Sequence, residues 1–326
     1  MKRIISSCTV VLLLICILCS CGASQGAASS GNAGKTSVVV TIFPEYDWVR
    51  EIAGEKAGDL DITLLMDSGV DLHSFQPSAE DIMKISTCDV FIYVGGNSDA
   101  WANDALKTST NKDMTVINLI DELGSLAKEE EIVEGMQGEE EEEEAEEGPE
   151  YDEHVWLSLR NASHICGVIA DALSEKDPAN ASVYKANSEA YLAKLSTLDS
   201  EYGKAVSSAK FDTVLFGDRF PFRYLTDDYG LKYYAAFVGC SAETEASFET
   251  VIFLADKLNE LGLGNVCTIE SSDGSIARTI IDTAKSDAGI VVLDSMQSVT
   301  AADIENGATY LSVMESNLNN LKEALN

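Results

Sequence analysis

Short apolar runs alternate with segments of helical period along most of the chain. From Ser37 onward, segments such as YDWVREIAG and SAEDIMKIS separate four β-rich runs, which are VVVTIF, LDITLLM, DVFIYVGG and TVINLI. Continuous apolar strands with amphipathic helices between them are typical of a parallel sheet covered by helices on both faces. The pattern therefore predicts an α/β lobe over residues 37–177.

The same alternation begins again after residue 210. Four further β-rich runs, each followed by a helical segment, are DTVLFG, LKYYAAFVG, NVCTIE and GIVVLD. This second series predicts another α/β lobe over residues 210–326, again with a parallel β-sheet flanked by helices.

The segment between the two lobes, residues 178–209, has the pattern of one long helix. After Pro178 it contains no further proline and a single glycine, and large residues recur there at helical spacings: Tyr184, Tyr191, Leu195, Leu198 and Tyr202. A helix of about 30 residues would span about 45 Å, which is long enough to run along both lobes. We therefore predict a rigid helix that joins the lobes, with a ligand cleft between them.

The beginning of the chain predicts export. The apolar stretch Val10–Leu18 is far shorter than the about 20 residues of a membrane-spanning helix, and such a stretch is typical of a secretory signal. The Leu-Cys-Ser-Cys ending that follows resembles a bacterial lipobox, which would make Cys21 the lipidated first residue of the mature chain. Residues 1–20 are thus predicted as a lipoprotein signal peptide, and residues 21–36, rich in Gly, Ala and Ser, as a flexible tether. The predicted location is extracytoplasmic, with a lipid anchor in the bacterial membrane.

The chain is strongly acidic. Its 55 Asp and Glu residues against 22 Lys and Arg give a formal net charge of −33, and removal of residues 1–20, which carry Lys2 and Arg3, lowers it to −35. Nucleic acid is excluded as a partner because phosphate binding needs a basic surface. A cationic ligand is favoured instead.

The densest negative charge is a glutamate block. Eight of the nine residues from 139 to 147 are glutamate. Such a run cannot bury a core and repels itself, so it predicts a disordered acidic loop over residues 128–150. Two roles remain open for this loop: an inert spacer, or a negative surface that concentrates cations and speeds their capture more than it tightens their binding.

Four cysteines follow the lipidation candidate: Cys88, Cys166, Cys240 and Cys267. They form no CxxC pair, and an even number of cysteines in an exported chain permits disulfides without indicating any. Three of them lie inside apolar patterns and are predicted as buried apolar residues: Cys88, Cys166 and Cys267.

Four residues in loops or at strand ends are candidate metal ligands. In open parallel sheets, ligands bind beyond the carboxyl ends of the strands. His73 stands in a glycine-containing loop after LDITLLM, His154 stands in a second loop, and Asp218 and Asp294 end the runs DTVLFG and GIVVLD. Imidazoles with carboxylates form a plausible ligand set for a divalent ion, although such wide spacing is weak evidence alone. His164 lies within a helical pattern, and we assign it no ligand role.

Two motifs carry a family resemblance. The first histidine stands in Gly-x-Asp-x-His-x-x-x-Pro, residues 69–77, and the second in Asp-x-His-x-Trp-Leu, residues 152–157. From about Thr36 to its end, the chain resembles the zinc- and manganese-binding lipoproteins of bacterial ABC importers. The resemblance implies two lobes joined by one long helix with the metal between them. It also implies a protein that captures Zn²⁺ or Mn²⁺ and delivers it to the importer's permease and ATPase; we expect a monomer.

One position departs from the family pattern. The resemblance implies a third histidine or a glutamate where this chain has Arg219, and it implies a carboxylate ligand at Asp294. A guanidinium stays protonated and cannot bind a metal. Asp218 or water could replace the missing ligand, or Arg219 could orient a ligating carboxylate.

The choice of metal follows from two opposing features. Replacement of an imidazole by oxygen favours Mn²⁺. The long acidic segment before His154 resembles the segment of the zinc-binding relatives, and on that ground we predict Zn²⁺, with Mn²⁺ as the alternative.

Two other classes of protein remain as alternatives. One is a surface lipoprotein adhesin of the same fold. The other is a metal-dependent hydrolase, but the sequence contains no HExxH pair, GxSxG motif or phosphate-binding glycine-rich loop. We therefore expect a binding protein with no enzymatic activity.

Overall fold

Two four-stranded parallel sheets form the centre of the molecule. The computed structural model describes residues 34–138, 150–241 and 245–326. The predicted signal peptide, the lipidation site Cys21 and nearly all of the tether lie outside these residues. Thr36–Asn326 form one compact unit.

The first sheet has the strand order β2-β1-β3-β4, with every neighbouring pair parallel. Strand β1, one of the two central strands, is rich in β-branched valine, which packs well on a pleated surface. Its Val38 and Val40 are fully buried. The strands are β1 Thr36–Val40, β2 Leu60–Leu64, β3 Val90–Tyr93 and β4 Thr115–Asn118. The helices of this lobe are α1 Phe43–Ala53, α2 Ala79–Thr87, α3 Trp101–Lys107, α4 Leu119–Leu123 and α5 Leu159–Lys176.

The second sheet repeats this arrangement with the order β6-β5-β7-β8. In β5 the pairing with β6 shifts between Phe216 and Arg219, so the end of this strand leaves the regular register. The strands are β5 Thr213–Phe220, β6 Lys232–Val238, β7 Asn265–Ile269 and β8 Gly289–Leu293. The helices that follow the long helix are α7 Arg223–Tyr229, α8 Phe248–Leu261, α9 Ser275–Ala284, α10 Ala301–Glu305 and α11 Tyr310–Ala324.

A single long helix, α6, spans Ala181–Ser207 between the two sheets in sequence. Its 27 residues correspond to about 40 Å at about 1.5 Å per residue. It packs against α1 and α5 of the first lobe and against α11 of the second, and the Tyr202 hydroxyl donates a hydrogen bond to the Met314 carbonyl over 2.7 Å. The predicted fold, two parallel-sheet lobes joined by one long helix, is thereby confirmed.

Residues 128–138 differ from their prediction as part of a disordered loop. Lys128 forms an ion pair of 2.8 Å with Asp227, and the backbone N–H of Gln137 donates to the Ala236 carbonyl over 2.9 Å. Met136 is buried in the core. The predicted loop begins too early, because residues 128–138 include apolar side chains and contact acidic, basic and backbone groups of the second lobe. Residues 139–149, with the block itself, lie outside the described residues.

The cysteines agree with their predicted burial. Cys88, Cys166 and Cys267 are buried, whereas Cys240 is only partly so, and all four are unpaired in the described structure. Within the part of the chain that the structure describes, we find no helix with the length and apolar character needed to cross a membrane.

Candidate metal centre

His73 lies in a short 3₁₀ turn, Leu72–Ser74, that follows β2. The Asp71 carboxylate begins this turn by accepting a hydrogen bond from the His73 backbone N–H over 3.0 Å. The imidazole Nδ1 lies 2.7 Å from the Ser98 hydroxyl and 3.4 Å from Oε2 of Glu153. The Nδ1 side of the ring is thus occupied by oxygen atoms, and Nε2 faces the other way.

His154 lies directly before a second 3₁₀ turn, Val155–Leu157, and is fully buried. Oδ1 of Asp152 accepts a hydrogen bond from the His154 backbone N–H over 2.9 Å and lies 3.0 Å from Nδ1 of the ring. Ser158 then caps α5 by accepting from the Asn161 N–H. These local contacts explain why the Asp-x-His-x-Trp-Leu motif holds one imidazole at a helix entrance.

The second lobe anchors the His154 loop from outside. The indole N–H of Trp156 donates to the Ser295 carbonyl over 2.9 Å. The Tyr224 hydroxyl donates to the Asp152 carbonyl over 2.9 Å, and the Tyr310 hydroxyl donates to the Trp156 carbonyl over 2.7 Å. The position of this imidazole therefore depends on packing between the lobes.

The two imidazoles point their Nε2 atoms at each other, 3.2 Å apart. An ionised carboxylate only accepts hydrogen bonds, so Asp152 and Glu153 favour the proton on Nδ1 of each ring and leave the lone pair on Nε2. Two such lone pairs repel unless a proton or a cation lies between them. The separation is close to the about 3.3 Å expected between two nitrogens bound tetrahedrally to zinc at about 2.0–2.1 Å.

The third member of this group is Cys240, which the sequence analysis did not consider as a ligand. Among the described residues, the potential ligand atoms of His73, His154 and Cys240 form one group in which all lie within 4.8 Å of one another. Cys240 follows β6, where neighbouring Gly239 leaves room for the His154 ring; a Cβ there would lie 2.9 Å from Cε1. The sequence signal for a ligand role was the position of Cys240 beyond the carboxyl end of β6, where ligands of parallel sheets bind.

Asp218 and Arg219 lie at the end of β5, beside this group. The Arg219 guanidinium forms an ion pair with Asp71. Burial opposes a low pKa for Asp71, but the Arg219 guanidinium and then His73 hold its pKa below the ordinary value. Asp218 accepts a hydrogen bond from the Arg219 backbone N–H over 2.9 Å, and burial raises its pKa. A cavity of about 520 Å³ is lined in part by these three residues.

Asp294 lies directly after β8 and has its own set of partners. Its backbone N–H donates to Oδ1 of Asn317 over 2.8 Å, and its Oδ1 accepts from the Met296 N–H over 2.7 Å. Burial, followed by the nearby Glu270, raises the pKa of Asp294 to about 6. The 4.8 Å group contains neither this carboxylate nor that of Asp218. His164 is exposed on α5, with Nε2 3.1 Å from the Glu122 carbonyl oxygen.

Buried carboxyl groups surround the His73 side of the group. Glu153, Asp99 and Glu45 are each at most 2% exposed, and each has one oxygen without a hydrogen-bond partner. Burial and the charge of Glu153 raise the pKa of Asp99 to about 7, while burial and Asp99 raise that of Glu45 to about 8. The raised pKa values of Asp99 and Glu45 reflect the cost of holding several negative charges here without a cation, and positive charge arriving nearby would favour their ionised forms.

The chain is similar to zinc-uptake proteins along nearly its whole length. Residues 38–324 match the protein family described as ZnuA, zinc-uptake complex component A, periplasmic. The chain is 30% identical over 315 residues to the zinc-binding lipoprotein AdcA of Streptococcus pneumoniae R6, an alignment that covers 96% of this chain and 60% of AdcA. It is 29% identical over 317 residues to the high-affinity zinc uptake system protein ZnuA of Bacillus subtilis, covering 97% of this chain and 96% of ZnuA.

A solved structure of one of these relatives has a similar fold. The crystal structure of the Zn(II)-bound ZnuA-like domain of S. pneumoniae AdcA has a TM-score of 0.70 and 29% identity to this chain. The matched region covers 90% of this chain and 99% of that domain. The two-lobed architecture is therefore common to both proteins.

Proposed function

The chain belongs to the family of the periplasmic zinc-uptake complex component A, and from this premise we propose that it is the extracytoplasmic metal-binding component of an ABC importer. In this role it captures Zn²⁺ in the cleft between its lobes and delivers the ion to a membrane permease that is driven by an ATPase. Mn²⁺ is the alternative cargo.

The observation that carries this proposal is the convergence of His73 and His154. Their Nε2 atoms are 3.2 Å apart, and each Nδ1 is next to a buried carboxylate. A cation between the two rings accepts both lone pairs at once. The carboxylates keep each ring in the tautomer that binds metal and strengthen it as a ligand.

Zinc is favoured over manganese by the type of these donors. Imidazole nitrogen suits zinc, whereas manganese prefers carboxylate, carbonyl and water oxygen. The relatives named above are a zinc-binding lipoprotein and a zinc uptake protein. Asp294 and Asp218 remain predicted ligands from the second lobe, and in this structure each carboxylate accepts a hydrogen bond from a nearby backbone N–H.

Capture and delivery also need a membrane anchor and a surface that differs between the filled and the empty protein. Lipidation at Cys21 would hold the protein at the membrane, beside the permease. Ligands contributed by both lobes would let the docking surface for the permease differ between filled and empty protein. The chain acts as a monomer with no reaction of its own.

Calorimetric titration of the purified protein with zinc and manganese tests this function. We expect tight zinc binding at one site, weaker manganese binding, and loss of the tight site in the His73→Ala/His154→Ala double variant. His164→Ala serves as the matched control, because this histidine is exposed on a helix. Absence of tight metal binding with retained binding to host proteins would favour an adhesin. Hydrolysis of esters or peptides by the zinc-bound protein would favour an enzyme.

A further inference from the structure

We propose that the Cys240 thiolate is the third zinc ligand, completing an N₂S donor set with His73 and His154. This inference rests on the function proposed above and specifies the chemistry of its site. It replaces the expectation that an oxygen ligand alone fills the position left by Arg219.

The distances permit this ligand with little movement. In a tetrahedral zinc centre, a nitrogen and a sulfur ligand are about 3.6 Å apart, given Zn–N of about 2.0–2.1 Å and Zn–S of about 2.3 Å. The three potential ligand atoms here already lie within 4.8 Å of one another. The sulfur therefore needs to approach each nitrogen by no more than about 1.2 Å, a change within the reach of a side-chain rotation.

The position of Cys240 in the fold distinguishes it from the other described cysteines. Cys88, Cys166 and Cys267 are buried, and each belongs to a hydrophobic core cluster. Cys240 instead follows β6 and is next to Gly239, the residue that packs on the His154 ring. The same close packing that positions His154 therefore brings the thiol to the imidazole pair.

A second observation at the same place points to a bound cation. Glu153 is 2% exposed, and its Oε2 lies 3.4 Å from Nδ1 of His73 and has no other partner among the described residues. A buried carboxylate oxygen beside a metal-binding imidazole is stabilised when positive charge arrives on the other side of the ring. The site thus offers two imidazole nitrogens and one thiolate sulfur as metal ligands, with the Glu153 carboxylate beside them.

The donor set has a consequence for the choice of metal. Thiolate is a soft ligand that zinc binds well and manganese binds poorly. Because only the thiolate binds, zinc must displace the thiol proton, which is released to the solvent as the Zn–S bond forms. Cys240 therefore selects zinc against manganese and makes binding release one proton that the imidazoles do not supply.

The test compares Cys240→Ser and Cys240→Ala with Asp294→Asn and Asp218→Asn in the full chain. We expect both cysteine variants to lose at least ten-fold in zinc affinity while manganese affinity changes less than two-fold. With Co²⁺ as a spectroscopic probe, wild type should show a sulfur-to-metal charge-transfer absorption that Cys240→Ser lacks. Calorimetry in two buffers of different ionisation enthalpy should show one fewer proton released by Cys240→Ser.

The outcomes separate this inference from the proposed function. If wild type binds zinc, His73→Ala does not, and Cys240→Ser keeps both its affinity and the cobalt absorption, the thiol assignment is wrong and the function stands. A large loss for Asp218→Asn with no loss for Cys240→Ser would also overturn it, because Asp218 is the alternative ligand for the position left by Arg219. If wild type binds neither metal tightly, the proposed function itself fails.

Discussion

The two histidine loops meet at one point but are built in different ways. Every residue from Asp152 to Leu159 is buried, and hydrogen bonds from Trp156 and Tyr224 tie the His154 loop to the second lobe. The His73 loop has exposed residues on both sides of the histidine, and the side chain of His73 is 9% exposed. One loop is part of the core, and the other is part of the surface.

This difference assigns separate tasks to the two loops. A buried imidazole held by packing is already in position before metal arrives, so binding at His154 costs little ordering entropy. Solvent reaches the pair from the side of His73, which we therefore expect to be the side of metal entry. The same asymmetry predicts that equivalent substitutions will have unequal effects.

The largest effects are expected when each imidazole is removed. His73→Ala and His154→Ala should each weaken zinc binding at least ten-fold, which is about 1.4 kcal/mol or more, and His154→Ala should weaken it further because its ring is preset. Competition with a chromophoric chelator measures both affinities. His164→Ala should change affinity less than two-fold; equal losses at all three histidines would contradict the assignment.

The second effect is on the stability of the metal-free protein. His154→Ala should lower the free energy of unfolding by about 2–3 kcal/mol, because it leaves a cavity and removes the ring partner of the buried Asp152 carboxylate, which keeps the backbone N–H. His73→Ala should cost less, about 1 kcal/mol, since that ring is 9% exposed and its loop has exposed residues on both sides. Urea denaturation with a chelator present measures the difference. Equal costs would show that both loops are equally part of the core.

A third, smaller effect concerns pH and the acid beside His73. Asp99 has a pKa raised to about 7 by burial and Glu153, above the about 3.9 of an unfolded chain. The folded protein then binds the extra proton, so the contribution of Asp99 to stability is greatest below about pH 4 and is lost as pH rises to about 7.

Asp99→Asn tests this pH dependence. The amide oxygen can still accept from the Val94 and Gly95 N–H groups that contact Asp99. We expect the variant to gain about 2 kcal/mol relative to wild type between pH 5 and pH 8, measured by denaturation of the metal-free proteins. A constant difference across this range would show that Asp99 is ionised throughout.

The smallest effect is expected from replacement of Arg219, the positively charged residue beside the His73 loop. Arg219 pairs with Asp71, which itself holds the His73 turn. Replacement by methionine, Arg219→Met, removes positive charge near the bound ion and should tighten zinc binding about two- to five-fold, more at low salt. Arg160→Met, at an exposed position on α5, is the matched control. Weaker binding would mean that this ion pair positions His73 more than it repels the metal.

The sequence alone determined the sheets, the long helix and both histidine loops. All eight predicted β-rich runs overlap an observed strand, and the predicted helix over residues 178–209 contains α6. These features depend on neighbours a few residues apart, such as runs of valine and regular helical spacing. The loop motifs are equally local, since Asp71 and Asp152 each bond the backbone of a histidine two residues away.

Only the tertiary structure decided what surrounds the two imidazoles. Cys240 is 86 residues from His154 in the sequence, and its place after a strand does not show that it meets the two imidazoles. The ion pair between Arg219 and Asp71 also joins residues that are far apart in sequence, and so do the contacts of residues 128–138 with the second lobe. The period of apolar residues shows which face of a strand is buried, but not which strand ends meet, because that depends on how two sheets pack around a shared helix.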